Sequence, residues 1–257
     1  MPSLRFGVEP REATLFTPSI LGTAKNASFD PASARLHGVT ISLEQAELLG
    51  SMMRRFSDAA LDVVCRICPR YRMRIERRRA SFRPAEIAGR VTTWRKDDTR
   101  LHVDSFPASP SGGCRILRVF TNVNPDGRVR SWRIGGEFDD VARRFAGQLR
   151  LPLPGSAELL RLFRITRSTR TPYDALMLQL HDRMKADADF QTHAPQMRVD
   201  FPAGSTWIAF TDQVSHAATA GQYQLEQTFL LPVDAMADPE RSPLRVLERI
   251  MGRRLAN

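Results

Sequence analysis

The sequence contains almost no lysine. Only Lys25, Lys96 and Lys185 occur, so subtracting these three from the 38 basic residues leaves 35 arginines, and the formal net charge is +10. Arginine binds carboxylates and phosphates through a planar fork of donors, which predicts an anionic partner such as nucleic acid, an anionic membrane surface or an acidic sugar. A GC-rich genome that encodes arginine in place of lysine explains the excess equally well. Charge alone therefore selects no function.

Cysteine is scarce and long apolar runs are missing. The three cysteines are an odd number, typical of a reducing compartment. Cys65 and Cys68 form a C-x-x-C motif, but a zinc site needs a second pair and a redox pair needs a βαβ context. No run approaches the ~18 apolar residues that span a membrane, and the segment MPSLRFGVEPREATLF lacks a signal-peptide core. We therefore expect a soluble, cytoplasmic protein.

Internal repeats, a glycine-rich phosphate loop and a G-x-S-x-G motif are also missing. Their absence argues against a solenoid, a P-loop enzyme and an α/β-hydrolase. With 257 residues, of which 42% are hydrophobic, the chain can bury a substantial core. We expect a single domain over residues 1–257.

The first third of the chain is predicted to be an irregular arm followed by a helix. Residues 1–36 are rich in proline, serine and alanine and show no sustained period. Ser42 and Gln45 form a capping box, after which apolar spacing predicts a long amphipathic helix that ends near Pro69. The arginine-rich segment 70–83 is either a solvated helical face or an anion-binding patch, and we favour the solvated face.

From about residue 92 the pattern changes to short β-branched and aromatic segments separated by turns. The predicted strands are residues 101–106, 115–123, 129–134, 197–201, 206–210 and 223–231. The predicted helices are residues 139–148, 156–163, 173–186 and a basic C-terminal helix at 242–254. Because the strands occur in neighbouring groups, the pattern predicts a mainly β (α+β) fold, an antiparallel sandwich or barrel with flanking helices, and not a Rossmann sheet.

One of the five histidines is followed two positions later by a carboxylate, in His102-Val103-Asp104. Residues i and i+2 of a strand point to the same face, so this imidazole and this carboxylate can bind one metal ion. With 28 acidic residues in 257, the pattern arises about 0.5 times by chance. A facial triad also needs a second histidine from a distant strand, with adjacent coordination positions left open.

His216 meets that requirement. It follows the predicted strand 206–210 and a turn, and it leads into a further β-like segment, so we expect it opposite His102 across the mouth of a barrel. Together with Asp104, these two histidines are the candidate metal ligands. The other histidines lie on or after a predicted helix or in the N-terminal arm and are expected to be surface or packing residues: His37, His181 and His193.

Three segments resemble the bacterial Kdo hydroxylases: TTWRKDDTRLHVDSFPASPSGGCRILRVFTNVNP (92–125), PYDALMLQLHDRMKAD (172–187) and FPAGSTWIAFTDQVSHAATAGQYQLEQTFLLP (201–232). These enzymes are Fe(II)/2-oxoglutarate dioxygenases that hydroxylate 3-deoxy-D-manno-oct-2-ulosonic acid (Kdo), the acidic inner-core sugar of lipopolysaccharide. The resemblance implies a double-stranded β-helix (jelly-roll, cupin-like) core over residues 92–232 with inserted helices. It also implies Fe(II), 2-oxoglutarate and O2 as cofactors, with His102, Asp104 and His216 as iron ligands.

The far carboxylate of 2-oxoglutarate needs a fixed cation. Many members of the superfamily place an arginine on the strand after the distal histidine, but Glu226 and Gln227 occupy that region here. An alternative in the superfamily sets the cation on the strand after H-x-D, which fits Arg118 first and Arg115 second. Gln227 and Thr228 are expected to add hydrogen bonds from the facing strand.

The resemblance also implies a substrate. The expected acceptor is a Kdo-containing lipid A or inner-core lipopolysaccharide precursor, hydroxylated at C3 of the sugar, and Trp94, Arg95 and Lys96 are the expected substrate residues. A basic protein suits the anionic inner face of the inner membrane, where peripheral contact is expected. The helix at 242–254 either lies on anionic headgroups or docks on the core of the domain, and we favour docking.

Two other functions are consistent with the sequence. One is a 2-oxoglutarate oxygenase that acts on protein or nucleic acid, with segment 70–83 as its footprint. The other is a non-enzymatic, basic nucleic-acid-binding or cupin-like metal protein. We prefer the hypothesis that the chain is a Kdo hydroxylase, and this hypothesis predicts no nucleic-acid partner.

Overall fold

A computed structural model describes residues 1 and 4–256 of the chain. The strands in this part are β1 (Ala27–Asp30), β2 (Arg35–His37), β3 (Glu76–Arg83), β4 (Arg115–Asn122), β5 (Arg130–Gly135), β6 (Gln196–Phe201), β7 (Thr206–Phe210), β8 (His216–Ala220) and β9 (Gln224–Leu231). The α-helices are α1 (Leu43–Ile67), α2 (Phe138–Phe145), α3 (Ser156–Leu162), α4 (Pro172–Ala186), α5 (Ala188–His193) and α6 (Pro243–Met251).

The strands form two antiparallel sheets. The larger sheet has the order β2-β1-β3-β9-β4-β7, and the smaller has the order β6-β5-β8. Aromatic side chains connect the two sheets. The ring centroid of Phe120 in the larger sheet lies 4.9 Å from that of Trp132 in the smaller sheet, and 5.4 Å from that of Trp207 in the larger sheet. The expected jelly-roll core is confirmed, and its metal-ligand candidates lie beside this aromatic contact.

Helix α1 covers the outer face of the larger sheet. The predicted capping box is present, since the Gln45 backbone N–H donates to Ser42 Oγ at 3.2 Å. Apolar residues along one face of the helix, among them Met52 and Phe56, pack against Phe82 of β3 and Leu225 of β9. With its outer face covered by α1, the sheet keeps the opposite face for a functional site.

A second helical group holds the segment that carries His102. Leu101 and Val103 are fully buried among apolar side chains of α2, α4, α5 and α6. Gln191 of α5 brackets Leu101, because it accepts from the Leu101 N–H at 2.8 Å and donates to the Leu101 carbonyl at 2.9 Å. The apolar residues are thereby fixed on one side, and His102 and Asp104 alternate with them along the chain.

Several predictions of secondary structure were wrong. Residues 101–106 are not a strand, since they make a single β-bridge at His102. Residues 1–36 are not irregular throughout, because β1 and the start of β2 lie there. The arginine-rich segment 70–83 is not helical, because β3 occupies most of it. The short helix α5 was not predicted at all.

The C-terminal helix docks on the protein core. Leu244, Val246 and Leu247 of α6 are buried in the same cluster as Leu101 and Val103. The preferred interpretation of this helix is therefore confirmed, and its apolar face is not available to a lipid surface. Among the described residues, no helix is both long and apolar enough to cross a membrane.

Candidate metal centre

A reciprocal pair of backbone hydrogen bonds brings the two candidate histidines together. The His102 N–H donates to the His216 carbonyl at 3.0 Å, and the His216 N–H donates to the His102 carbonyl at 2.8 Å. Residues that pair in this way on antiparallel segments place their side chains on the same face. The two imidazole centroids accordingly lie 4.7 Å apart.

Asp104 completes the cluster from the same segment as His102. Its backbone N–H donates to the Thr211 carbonyl at 2.8 Å, which fixes its position against the chain leading to β8. His102 Nε2 lies 3.7 Å from Asp104 Oδ1. One potential ligand atom from each of Asp104, His102 and His216 lies within 4.8 Å of the others. The predicted convergence of these three residues is therefore present in the structure.

Both imidazoles are oriented by their Nδ1 atoms. His102 Nδ1 lies 2.7 Å from the Arg100 carbonyl, and His216 Nδ1 lies 2.8 Å from the Val214 carbonyl. A ring that donates Nδ1–H to a carbonyl keeps the lone pair of Nε2 for a metal ion, and this arrangement is usual among metal-binding histidines. The donor set thus fits a divalent transition metal with two nitrogen ligands and one oxygen ligand.

The charge states of the ligands also suit a metal. Burial and the neighbouring His216 lower the pKa of His102 well below its usual value, so the imidazole is neutral. Burial raises the pKa of Asp104, but Arg118 and smaller contributions from other neighbours together lower it by more, and the net result is a pKa far below the usual range. A neutral imidazole and an ionised carboxylate are the forms that bind metal ions.

Two aromatic rings enclose the centre. Trp132 of β5 stacks on His216 with 5.1 Å between ring centroids, and His181 of α4 lies edge-on to His102 at 5.3 Å. His181 was expected to be a surface or packing residue, and its position beside the centre was not predicted. The helical pattern of residues 173–186 gave no signal that this face of α4 meets His102.

A small cavity of about 60 Å³ opens at the three candidate ligands. Its wall includes Arg118, as predicted, and also Arg83 and Arg130. Arg118 Nη2 lies 3.1 Å from Asp104 Oδ2, and Arg118 Nη1 donates to Glu226 Oε1 at 2.7 Å. Arg118 therefore links a candidate metal ligand to the facing strand β9.

Arg115 does not belong to this cavity. It is fully buried, its Nε donates to Asp212 Oδ2 at 2.7 Å, and its guanidinium lies over the Phe210 ring at 4.1 Å. Successive residues of a strand face opposite sides of the sheet, so Arg115 and Arg118, three positions apart, are on different faces. The expectation that Arg115 is the second co-substrate anchor is therefore wrong.

The two residues of β9 that were expected to bind the co-substrate, Gln227 and Thr228, do not line this cavity. Gln224 and Glu226 line the cavity, while Gln227 is on the other face and donates to the Arg78 carbonyl at 2.7 Å. Thr228 shares the face of Glu226 but lines the neighbouring, larger cavity. The error came from the register of β9 relative to β4, which pairs Arg118 with Thr228 and Phe120 with Glu226.

The expected substrate residues Trp94, Arg95 and Lys96 lie away from this cavity. They form a 3-10 turn, in which Arg95 stacks on the Trp94 ring at 4.1 Å and pairs with Asp182 of α4 at 3.1 Å. None of the three lines the cavity at the candidate ligands. The structure therefore gives no support for their assignment to the substrate.

A jelly roll whose paired segments present two histidines and one carboxylate beside a cavity has the donor set of the facial triad found in non-haem iron oxygenases. The model of the 3-deoxy-D-manno-oct-2-ulosonic acid (Kdo) hydroxylase family matches residues 1–254. The chain belongs to the Kdo hydroxylase family. No curated protein sequence matches it significantly.

Solved structures of a Kdo hydroxylase are similar to the structure of this chain. The crystal structure of the Kdo hydroxylase KdoO in complex with cobalt(II) is similar to the chain with a TM-score of 0.97 at 48% identity, covering 100% of this chain and 86% of that chain. The complex of KdoO with α-ketoglutarate and Fe(III) has a TM-score of 0.96 at 47% identity, with the same coverage. That protein is described as a non-heme Fe(II) α-ketoglutarate-dependent dioxygenase.

The triad can be tested by metal binding. We expect His216→Ala to weaken Co(II) or Fe(II) binding by at least about 100-fold, because one of three protein ligands is lost. Titration of the purified protein, followed by calorimetry or by the visible absorption of Co(II), measures this change. His193→Ala is the matched control, since His193 is an exposed histidine that does not line the cavity at the candidate ligands. Equal affinity in both variants would exclude His216 as a ligand.

Proposed function

We propose that this chain is an Fe(II)- and 2-oxoglutarate-dependent dioxygenase that hydroxylates C3 of the Kdo sugar in a lipid A or inner-core lipopolysaccharide precursor. The observation that carries the proposal is the convergence of His102, Asp104 and His216 at an arginine-lined cavity. The family match over residues 1–254 favours the sugar acceptor over protein or nucleic acid.

The residues around the triad hold its carboxylate in place and limit the access of water to it. With O2 and 2-oxoglutarate, Fe(II) held by the triad would supply an oxidant that inserts one oxygen atom into a C–H bond, with succinate and CO2 as the other products. Trp132 and Phe120 line the cavity and limit the access of water to it. Arg118, by pairing with Asp104, holds the carboxylate ligand in place.

The proposed co-substrate site is inferred from buried hydrogen-bond donors that have no partner among the described residues. Arg130 is 1% exposed, and it has no carboxylate within 4.0 Å among residues 1 and 4–256. Its Nη1 donates to the Gly221 carbonyl at 2.6 Å, whereas its Nε has no partner there. Trp132 Nε1 is also buried and has no hydrogen-bond partner in the described part of the chain. A buried guanidinium needs an anion, so these donors are suited to the far carboxylate of 2-oxoglutarate.

Arg83 and Arg118 take a different role in the same cavity. Both are paired with Glu226, at 3.0 Å and 2.7 Å respectively. Their charge is therefore partly neutralised before any ligand binds. We assign the main carboxylate anchor to Arg130, and we assign Arg118 to the position beside the metal, which refines the original expectation for Arg118.

The function is tested by acceptor-dependent turnover. A Kdo-bearing lipid A precursor should raise succinate formation by the purified enzyme several-fold, and mass spectrometry should find one added oxygen on the Kdo unit. The His216→Ala variant should give neither result. If RNA or peptides stimulate turnover while the precursor does not, the acceptor is wrong.

The assignment of Arg130 is tested separately. We expect Arg130→Met to raise the KM for 2-oxoglutarate roughly 10- to 100-fold, because a charge-assisted hydrogen bond is worth about 1.5–3 kcal/mol. The increase in Tm caused by 2-oxoglutarate should shrink in parallel. Arg133→Met is the matched control, since Arg133 is on the same strand and donates to a backbone carbonyl at 2.7 Å but lies outside the cavity. A similar change in both variants would argue against an anchor at Arg130.

The proposal extends to peripheral contact with the cytoplasmic face of the inner membrane. Residues 153–165, here called the α3 segment, expose five large apolar side chains: Leu153, Leu159, Leu162, Phe163 and Ile165. None of the residues of α3 is buried, and exposed arginines are interleaved at Arg161 and Arg164. Apolar residues interleaved with arginine are typical of segments that bind anionic lipid surfaces.

Membrane contact through the α3 segment is tested with lipid vesicles. The double variant Leu162→Ser, Phe163→Ser should bind anionic vesicles at least about tenfold more weakly, because each buried side chain contributes about 1.5–3 kcal/mol. The matched control is Leu43→Ser, Val91→Ser, which removes two apolar side chains elsewhere that are even more exposed. Sedimentation with phosphatidylglycerol vesicles measures both. Unchanged binding by the first variant would place the contact elsewhere.

A further inference from the structure

A second cavity, of about 520 Å³, lies beside the cavity at the metal centre. Arg83, Arg118 and Glu226 line both, so the two spaces share a wall. Sites for small ligands commonly have volumes of about 300–1,000 Å³, a range that includes the larger space but not the cavity of about 60 Å³. A sugar-sized molecule that reaches the metal centre therefore needs the larger space.

Arginine dominates the wall of the larger cavity. Three carboxylates lie there, at Asp30, Glu76 and Glu226, and six arginines give the wall a net charge of +3: Arg77, Arg78, Arg79, Arg83, Arg118 and Arg167. A concave surface lined by charge of one sign concentrates the field and attracts ions of the opposite sign. The larger cavity is thus suited to an anionic ligand.

Two of these arginines lack a close counter-ion among the residues that the structure describes. The nearest carboxylate to Arg79 is that of Asp30, at 3.9 Å, and no carboxylate lies within 4.0 Å of Arg167 in the described part of the chain. The other four each lie within 3.0 Å of a carboxylate oxygen, in the pairs Arg77–Asp58, Arg78–Glu76, Arg83–Glu226 and Arg118–Glu226. Arg79 and Arg167 therefore carry the charge that is free to meet a ligand.

A β-bulge brings Arg79 to this wall. The register between β3 and β9 shifts between Arg77 and Ala80, so Arg78 and Arg79 together oppose the single residue Thr228. Bulges of this kind re-aim side chains and are frequent next to active sites. The bulge lets both arginines line the cavity while Ala80 keeps its place in the core under α1.

We propose that Arg79 and Arg167 form an anion-binding subsite for the acceptor and bind the carboxylate or phosphate oxygens of an acidic glycolipid. The inference rests on the proposed function, since it assumes that the acceptor is acidic. Glu226 already neutralises part of the charge of Arg83 and Arg118 at the shared wall, so Arg79 and Arg167 are the better partners for the ligand's anionic groups. A guanidinium binds such oxygens through two parallel hydrogen bonds, which fixes the orientation of the sugar as well as its position.

Equilibrium dialysis tests the subsite without turnover. The probe is a deacylated, phosphorylated Kdo–glucosamine disaccharide, which removes any contribution from membrane contact. Arg79→Gln and Arg167→Gln should each raise its Kd about tenfold, and the double variant should raise it further. Arg128→Gln is the matched control, because Arg128 is exposed and lines neither cavity. Affinity for Co(II) and 2-oxoglutarate should be unchanged in all variants.

The source of the anion is distinguished with a dephosphorylated probe. If the subsite holds phosphate, wild type and variants should bind this probe equally, whereas a subsite for the Kdo carboxylate keeps the tenfold difference. The subsite is excluded if the double variant binds the phosphorylated probe like wild type, or if wild type does not bind it. Acceptor-dependent succinate formation by wild type in the same preparation then shows that the proposed function stands while the subsite does not.

Discussion

The structure depends on one pair of backbone hydrogen bonds, which joins His102 to His216. Backbone pairing fixes both Cα positions, so the two imidazoles meet without relying on flexible side chains. Each ring is then aligned by a carbonyl two residues before it. Because the ligands are positioned by main chain, the rest of the fold serves to hold two extended segments in register at the edge of the smaller sheet.

Burial on the far side of the His102 segment provides that support. Leu101 and Val103 are fixed in the helical core, and Gln191 satisfies both backbone groups of Leu101. On the near side, Arg118 connects Asp104 to Glu226, and Glu226 also holds Arg83. The same carboxylate thus stands between the metal centre and the larger cavity, so changes at this residue are expected to affect both.

The sequence was sufficient to predict the parts that depend on local pattern. Alternating residues and turn signals predicted β4 to β7 and β9 to within two residues, and the capping box predicted the start of α1. The segment at His102 was mistaken for a strand because its alternation comes from packing on helices rather than from a sheet ladder. Likewise β3, with its arginines, was taken for a helix, since pairing with β9 and a bulge leave no periodic signal.

The three candidate ligands were predicted correctly as a cluster. Arg83, Arg130 and His181 were missed, because their approach to the centre depends on register and long-range packing that a single sequence does not encode visibly.

The long separation between the ligands has a consequence for how the protein is made. Asp104 and His216 are separated by 111 residues, and the second histidine belongs to β8, which is synthesised after helices α2 to α5. Contacts so distant in sequence form late, after the intervening chain has been ordered. A nascent or truncated chain that ends before β8 has only two of the three ligands. The complete donor set is thereby assembled only after β1 to β7 and α1 to α5 have been synthesised.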